Sequence, residues 1–251
     1  MNAGGCCHLL NVDHFHMAQP TFPPHPHAGF SAVTWMLPWS GGAFINRDSL
    51  DDRTRLAPGS FHGTLAGAGM MHEEIPETPG ADCEGLQIFV KLPESDELTP
   101  PRSFHLDAEQ IPTLSRGASA LRVLLGAIDE VRSPIEEPSG TTLVQASVQG
   151  DLTPVIPGNV EAFAMVLRGR GRIDGQDAQL HDVTSLAPGP HRLEGDGLQV
   201  LLGWGSPMPR RPIFRGPFCM FDERRLADAA QRFRSGGMGS LSPSPVAWGR
   251  P

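Results

Sequence analysis

Apolar residues in this chain come in short runs separated by Gly and Pro: Ala32–Leu37, Gln87–Leu92, Leu121–Ile128, Thr142–Val148, Ala162–Leu167 and Leu198–Trp204. Runs of this length between turn formers are strand-like, and their recurrence predicts an all-β chain. One segment has helical grammar. Asp222 can cap it, Leu226, Ala229, Ala230 and Phe233 recur on one face, and Gly236-Gly237 stops it. Its arginines, Arg224, Arg225, Arg232 and Arg234, are expected to form a solvated face, because nothing aromatic interleaves them.

Leu56-Ala57-Pro58-Gly59 returns as Leu186-Ala187-Pro188-Gly189, a displacement of 186 − 56 = 130 residues, and the same displacement lays Phe30–Leu37 over Val160–Leu167. Two separated apolar strands that keep one offset predict a duplicated β unit, hence two similar barrels in tandem. The seam is expected near Ile111–Gly117, where Pro112, Ser115 and Gly117 break the pattern. The expected division is a first barrel over 1–112, a second over 118–219, and a helix with its tail over 220–251.

Composition narrows the function. The 251 residues carry 28 acidic and 20 basic side chains, a formal charge of −8, which argues against direct nucleic-acid binding. Gly (29) and Pro (25) are abundant, yet 39% of residues are hydrophobic, so the chain is turn-rich rather than disordered. No run reaches the roughly 18–20 apolar residues of a membrane span, and residues 1–13 lack a basic start before an apolar core. The expectation is a cytoplasmic protein with no membrane contact. Cys6, Cys7, Cys83 and Cys219 have no repeating spacing that would suggest a disulfide frame or zinc knuckle, and Cys6-Cys7 is expected to be exposed in a terminal tail. The single lysine, Lys91, and the absence of tyrosine fit a GC-rich, bacterial genome.

Eight of the ten histidines lie in the first 105 residues, which points to chemistry in the first barrel. His25-Pro26-His27 and His72-Glu73-Glu74 each place two donors at i and i+2, the spacing that shares one face of a strand. If the two strands are neighbours inside a barrel, His25, His27, His72 and Glu74 converge as three imidazoles and one carboxylate around a divalent metal, with positions left open. That donor set suits iron, and manganese, nickel, copper or cobalt nearly as well; Fe(II) is the expected ion. A helical zinc-peptidase motif is excluded, because Pro76 stands where its second histidine is required. The second barrel has no such pair and is expected to be metal-free, with His181 and His191 as ordinary surface residues.

Together these segments resemble the pirin family of bicupins. The resemblance rests on Asp13-His14-Phe15, His25-Pro26-His27-Ala28-Gly29-Phe30, Asp48-Ser49, Pro58-Gly59, Ala66-Gly67-Ala68-Gly69, His72-Glu73-Glu74, Gly85 through Pro93, and Gly216-Pro217-Phe218. It implies two tandem cupin (jelly-roll) barrels with a short C-terminal α-helix, and metal ligands at His25, His27, His72 and Glu74. The chain departs from the family at Ala28, Ser31, His62-Gly63 and Ala68, where relatives generally carry Arg, Glu, Gln-Trp and Arg, and Pro38–Gly41 looks like a short hairpin insertion. His62 is either a polar neighbour of the metal or a rim residue.

The resemblance implies a quercetin 2,3-dioxygenase-like activity on flavonol-type aromatic substrates with O2, in which Glu74 is both ligand and general base. Phe22, Phe30, Trp35 and Met71 are candidates for the lining of a mouth for a flat ring. The alternative is a metal-loaded, redox-sensing adaptor whose partner is a regulator or a metabolic enzyme.

Overall fold

A computed structural model describes residues 7–242. All six expected runs are strands, the third broken at Gly126. The described residues form two compact units, one of residues 9–110 together with 210–242, the other of residues 111–209 with Cys7 and His8.

The first unit contains β1 (Leu9–Met17), β2 (His25–His27), β3 (Phe30–Met36), β4 (Phe44–Asp48), β5 (Arg53–Leu56), β6 (Phe61–Leu65), β7 (Met70–Pro76), β8 (Cys83–Lys91) and β9 (Arg102–Leu106). They make two antiparallel sheets, in the orders β1-β8-β3-β6-β9 and β2-β7-β4-β5. Met36 and Cys83 of one sheet pack with Phe44 and Leu56 of the other, and Phe15 and Met17 close over them. Burial of this kind is the main stabilising term of such a sandwich.

In the second unit, Thr113–Arg116, Ser119–Leu125, Thr142–Leu152, Leu193–Gly205, Glu161–Arg168 and Val183–Leu186 lie side by side in that order. Their inward residues, among them Val144, Val148, Val166, Leu193 and Val200, form a core of their own. The two units share one pairing pattern: β3 lies between β6 and β8, and Glu161–Arg168 lies between Val183–Leu186 and Leu193–Gly205. The 130-residue offset of the sequence is not kept by the pairing: it lays Val183–Leu186 over β5, which pairs with β4, whereas Val183–Leu186 takes the place of β6.

The second barrel was expected to run to residue 219, but its last strands, Ile213–Arg215 and Phe218–Met220, fall in the first unit. The reason is local. Phe218 bridges Ala28 in parallel, the Cys219 amide donates to the Ala28 carbonyl at 3.0 Å, and Ala28, Phe218, Met220, Leu226, Ala229 and Met238 share one apolar cluster. Gly29 makes the approach feasible. Its φ is +82°, and a Cβ there would sit 2.1 Å from the Cys219 carbonyl oxygen.

The expected helix is α1 (Glu223–Arg234), with the Asp222 carboxylate accepting from the amides of Arg224 and Arg225. Its arginine face is not uniformly solvated. Arg225 donates to a carboxylate oxygen of buried Glu97 at 2.6 Å, and Arg232 donates to the Ala68 carbonyl at 3.0 Å, while Arg224 and Arg234 are exposed. Glu97 belongs to a fully buried ion pair: Lys91 donates to it at 2.7 Å and also to the carbonyls of Gly29 and Leu92. The Phe221 amide donates to Glu97, and the Phe221 ring lies 4.4 Å from the Lys91 ammonium. Burial lowers the Lys91 pKa, and the Glu97 carboxylate opposes that shift.

Of the expected exposed cysteine pair, Cys6 lies outside the described residues and Cys7 is buried, as are Cys83 and Cys219. Among the described residues no helix is long and apolar enough to cross a membrane.

Candidate metal centre

β2 pairs antiparallel with β7, which sets His25 opposite His72 and His27 opposite Met70. Alternation along a strand keeps His25 and His27 on one face. Their rings and that of His72 meet with centroids 4.6–4.8 Å apart, and one nitrogen from each ring lies within 4.8 Å of the others. Nε2 of His25 and Nε2 of His72 are 3.1 Å apart. Cis ligands about 2.0–2.1 Å from a common ion are separated by about 3 Å, so the pair already has ligand spacing.

The protonation states fit as well. Nδ1 of His25 donates to the Pro23 carbonyl at 2.9 Å, which leaves the Nε2 lone pair for an ion. Burial lowers the His25 pKa, with the Pro23 hydrogen bond opposing it. Burial, reinforced by His25, takes His27 down to about 3, and burial with the neighbouring imidazoles holds His72 well below its ordinary value. All three rings are therefore neutral at neutral pH, the ligating form. Three imidazoles with a nearby carboxylate make a donor set suited to a divalent metal.

Glu74, the fourth expected donor, is not in this trio. It lies opposite Asn46 of β4, and its Oε2 accepts the Thr34 hydroxyl at 2.7 Å. Burial pushes its pKa up to about 7, with the Thr34 bond opposing. Glu73 points to the other face of the strand and is held by Arg47, whose Nε is 2.8 Å away. The structure thus brings His25, His27 and His72 together, and Glu74, on the same face of β7 as His72, is held by Thr34.

Several polar neighbours escaped sequence reasoning. Thr34 of β3 stands opposite Gln87 of β8, and the two side chains are 3.1 Å apart. Asn46 is buried, and neither end of its amide has a hydrogen-bond partner among the described residues. The signal for both was a polar residue inside an otherwise inward-facing register. His62 is not a rim residue: it is 1% exposed, lies opposite Thr34 and His105, and is taken down to about 4 by burial and His105. Neither of its ring nitrogens has a hydrogen-bond partner among the described residues. At Gly63 the space for a side chain is filled by Phe104, whose ring a Cβ would meet at 2.3 Å.

Other expectations change. Phe30 and Trp35 are buried in the core and Met71 nearly so; only Phe22 is exposed, with its ring 6.3 Å from that of His25. Asp48-Ser49 organises a turn: Asp48 accepts the amides of Leu50 and Asp52, and Ser49 accepts the Met71 amide while donating to the Met238 carbonyl. In the second unit His181 is exposed, but His191 is buried between the Asp174 carboxylate at 2.6 Å and the Ala187 carbonyl at 2.7 Å.

Two antiparallel barrels from a duplicated unit, with histidines gathered inside the first, define a bicupin. Residues 7–90 match the family model described as Pirin, and residues 143–239 match the Pirin C-terminal cupin domain. The chain belongs to the pirin family. It is 28% identical over 241 residues to a pirin-like protein of Solanum lycopersicum, covering 92% of this chain and 81% of the relative. Its fold is similar to a quercetin 2,3-dioxygenase from Acinetobacter baumannii, with TM-score 0.84 and 23% identity over 94% of this chain and 87% of that one. It is also similar to a bacterial pirin from Escherichia coli solved in complex with nickel(II), with TM-score 0.66 and 18% identity over 81% and 85% of the two chains.

Proposed function

We propose that this chain is a pirin-type, metal-dependent dioxygenase that acts on a flavonol-type aromatic substrate. The observation that carries the reading is the meeting of three imidazoles, His25, His27 and His72, on one inner face, with Glu74 two residues from His72 on the same face of its strand. His25, His27 and His72 would hold the ion, with Glu74 as a fourth ligand after a turn of its side chain, and Fe(II) is the ion we assign. When bound, the ion supplies a Lewis-acid site for a substrate oxygen and a route for electrons to O2.

The chain's own residues supply the rest. Pro23 fixes the tautomer of His25. Thr34 holds Oε2 of Glu74, leaving Oε1 to accept the proton of a substrate hydroxyl, for which a pKa near 7 is suited. Exposed Phe22, beside His25, offers an apolar face to a flat ring. The test is oxygen consumption with carbon monoxide release from quercetin by metal-loaded protein. Metal-dependent turnover supports the reading, and its absence with every reconstituted ion overturns it.

One observation favours the adaptor reading. Ala28, where the family resemblance implies an Arg, is seated in an apolar cluster with Phe218 and Met238, so the residue next to His27 brings no charge to the site. Stoichiometric metal without turnover, with capture of a protein partner in one oxidation state only, would support that reading.

A further inference from the structure

A second group of donors lies on the other face of the first unit, outside the site described above. Phe15 and Met17 of β1 pack into the core, so alternation turns His14 and His16 to the opposite face. β8 pairs with β1 so that Glu84 stands directly across from His16 and diagonally from His14. Nε2 of His14 is 2.8 Å from Oε1 of Glu84, and Nε2 of His16 is 3.8 Å from the same oxygen. A ligand atom from each of the three residues lies within 4.8 Å of the others. Ligands about 2.0–2.2 Å from a tetrahedral Zn2+ are separated by about 3.3 Å, which these two distances bracket.

Asp82 completes the arrangement. Its two carboxylate oxygens are 3.1 and 3.2 Å from Nδ1 of His16, so His16 carries its proton on Nδ1 and presents Nε2 toward Glu84. A carboxylate behind the far nitrogen of a ligating histidine fixes its orientation and raises its basicity.

We propose that His14, His16 and Glu84 form a second divalent-cation site, of Zn2+ type, with Asp82 positioning His16. Two imidazoles and one carboxylate leave one tetrahedral position for water, and 57% exposure of the His16 side chain gives the ion access from solvent. Binding requires the neutral His14 tautomer with its proton on Nδ1, so the proton between Nε2 and Glu84 is exchanged through solvent for one on Nδ1. The site links β1, an edge of its sheet, to β8, so an ion there cross-braces that edge.

The experiment uses untagged full-length protein and Zn2+ titrated calorimetrically. In a His25→Ala/His72→Ala protein, which lacks the inner histidine pair, one equivalent of Zn2+ is expected to bind and to raise the melting temperature. Adding His14→Ala/His16→Ala should abolish both effects, and adding Asp82→Asn instead should weaken binding roughly 10–100-fold. If the inner-site variant does not fold, Glu84→Gln in the otherwise unaltered chain should lower the Zn2+ stoichiometry by one. The proposal is overturned if the folded His25→Ala/His72→Ala protein binds no Zn2+, or if removing His14 and His16, or Glu84, leaves the bound Zn2+ unchanged. None of these readouts depends on turnover at the inner site.

Discussion

The Thr34 hydroxyl donates to Oε2 of Glu74 at 2.7 Å, a contact that crosses from one sheet of the first barrel to the other. Thr34→Val keeps the shape and removes the donor, leaving a half-buried carboxyl without this partner. The expected cost is about 1–3 kcal/mol of stability, read by urea denaturation, and about tenfold in metal affinity, read by chelator competition. Unchanged values of both would show that Thr34 does not hold Glu74.

Lys91 and Glu97 are both fully buried, and Arg225 and the Phe221 amide meet the same carboxylate. Glu97→Ala strands a buried ammonium and should cost about 3–5 kcal/mol. Replacing both members, as in Lys91→Met with Glu97→Leu, should cost less than Glu97→Ala alone, because no charge is left unpaired. Equal losses in the two proteins would contradict this.

Gly29→Ala tests the return of the C-terminal hairpin to the first unit. The substitution adds a strained left-handed φ and a Cβ 2.1 Å from the Cys219 carbonyl oxygen, so a loss on the order of 2–3 kcal/mol is expected in chemical denaturation. A neutral effect would mean that the hairpin does not pack there.

The His191–Asp174 pair predicts a pH dependence of stability. Burial pulls the His191 pKa down, but the Ala187 carbonyl and the Asp174 carboxylate outweigh it, so the net shift is upward from 6.5. Burial pushes Asp174 up, but His191 and the Arg192 amide outweigh it, so the net shift is downward from 3.8. The histidine's contribution is complete below its unfolded value and is lost as pH rises through its folded value. The aspartate's contribution is complete above its unfolded value and is lost as pH falls through its folded value. Asp174→Asn should therefore destabilise most between about pH 4 and 6.5, and less at pH 8, when unfolding is followed across pH. A penalty that grows above pH 7 would contradict the assignment.

The strands were legible as short apolar runs between turn formers, as in Phe30–Met36, which is buried on both faces, and the helix by the period of its buried face, as in Leu226, Ala229 and Ala230. The i, i+2 histidines revealed one shared face per strand, and β2–β7 pairing then brought His25 to His72. What remained hidden depends on partners distant in the chain. Strand Phe218–Met220 is too short to carry a period, and its seat on Ala28 lies 218 − 28 = 190 residues away. Nothing near His191 announces that Asp174 buries it, and nothing on α1 shows that Arg225 answers Glu97. The turn of Glu74 toward Thr34 likewise joins residues on separate sheets, a relation that no local pattern encodes.

Elemental analysis decides the central claim most directly, in protein carrying His14→Ala/His16→Ala so that, of the two donor clusters among the described residues, the inner one remains. One divalent ion per chain is predicted, falling to none when His72→Ala is added to a protein that still folds. An ion retained after that change, or none before it, would contradict the account.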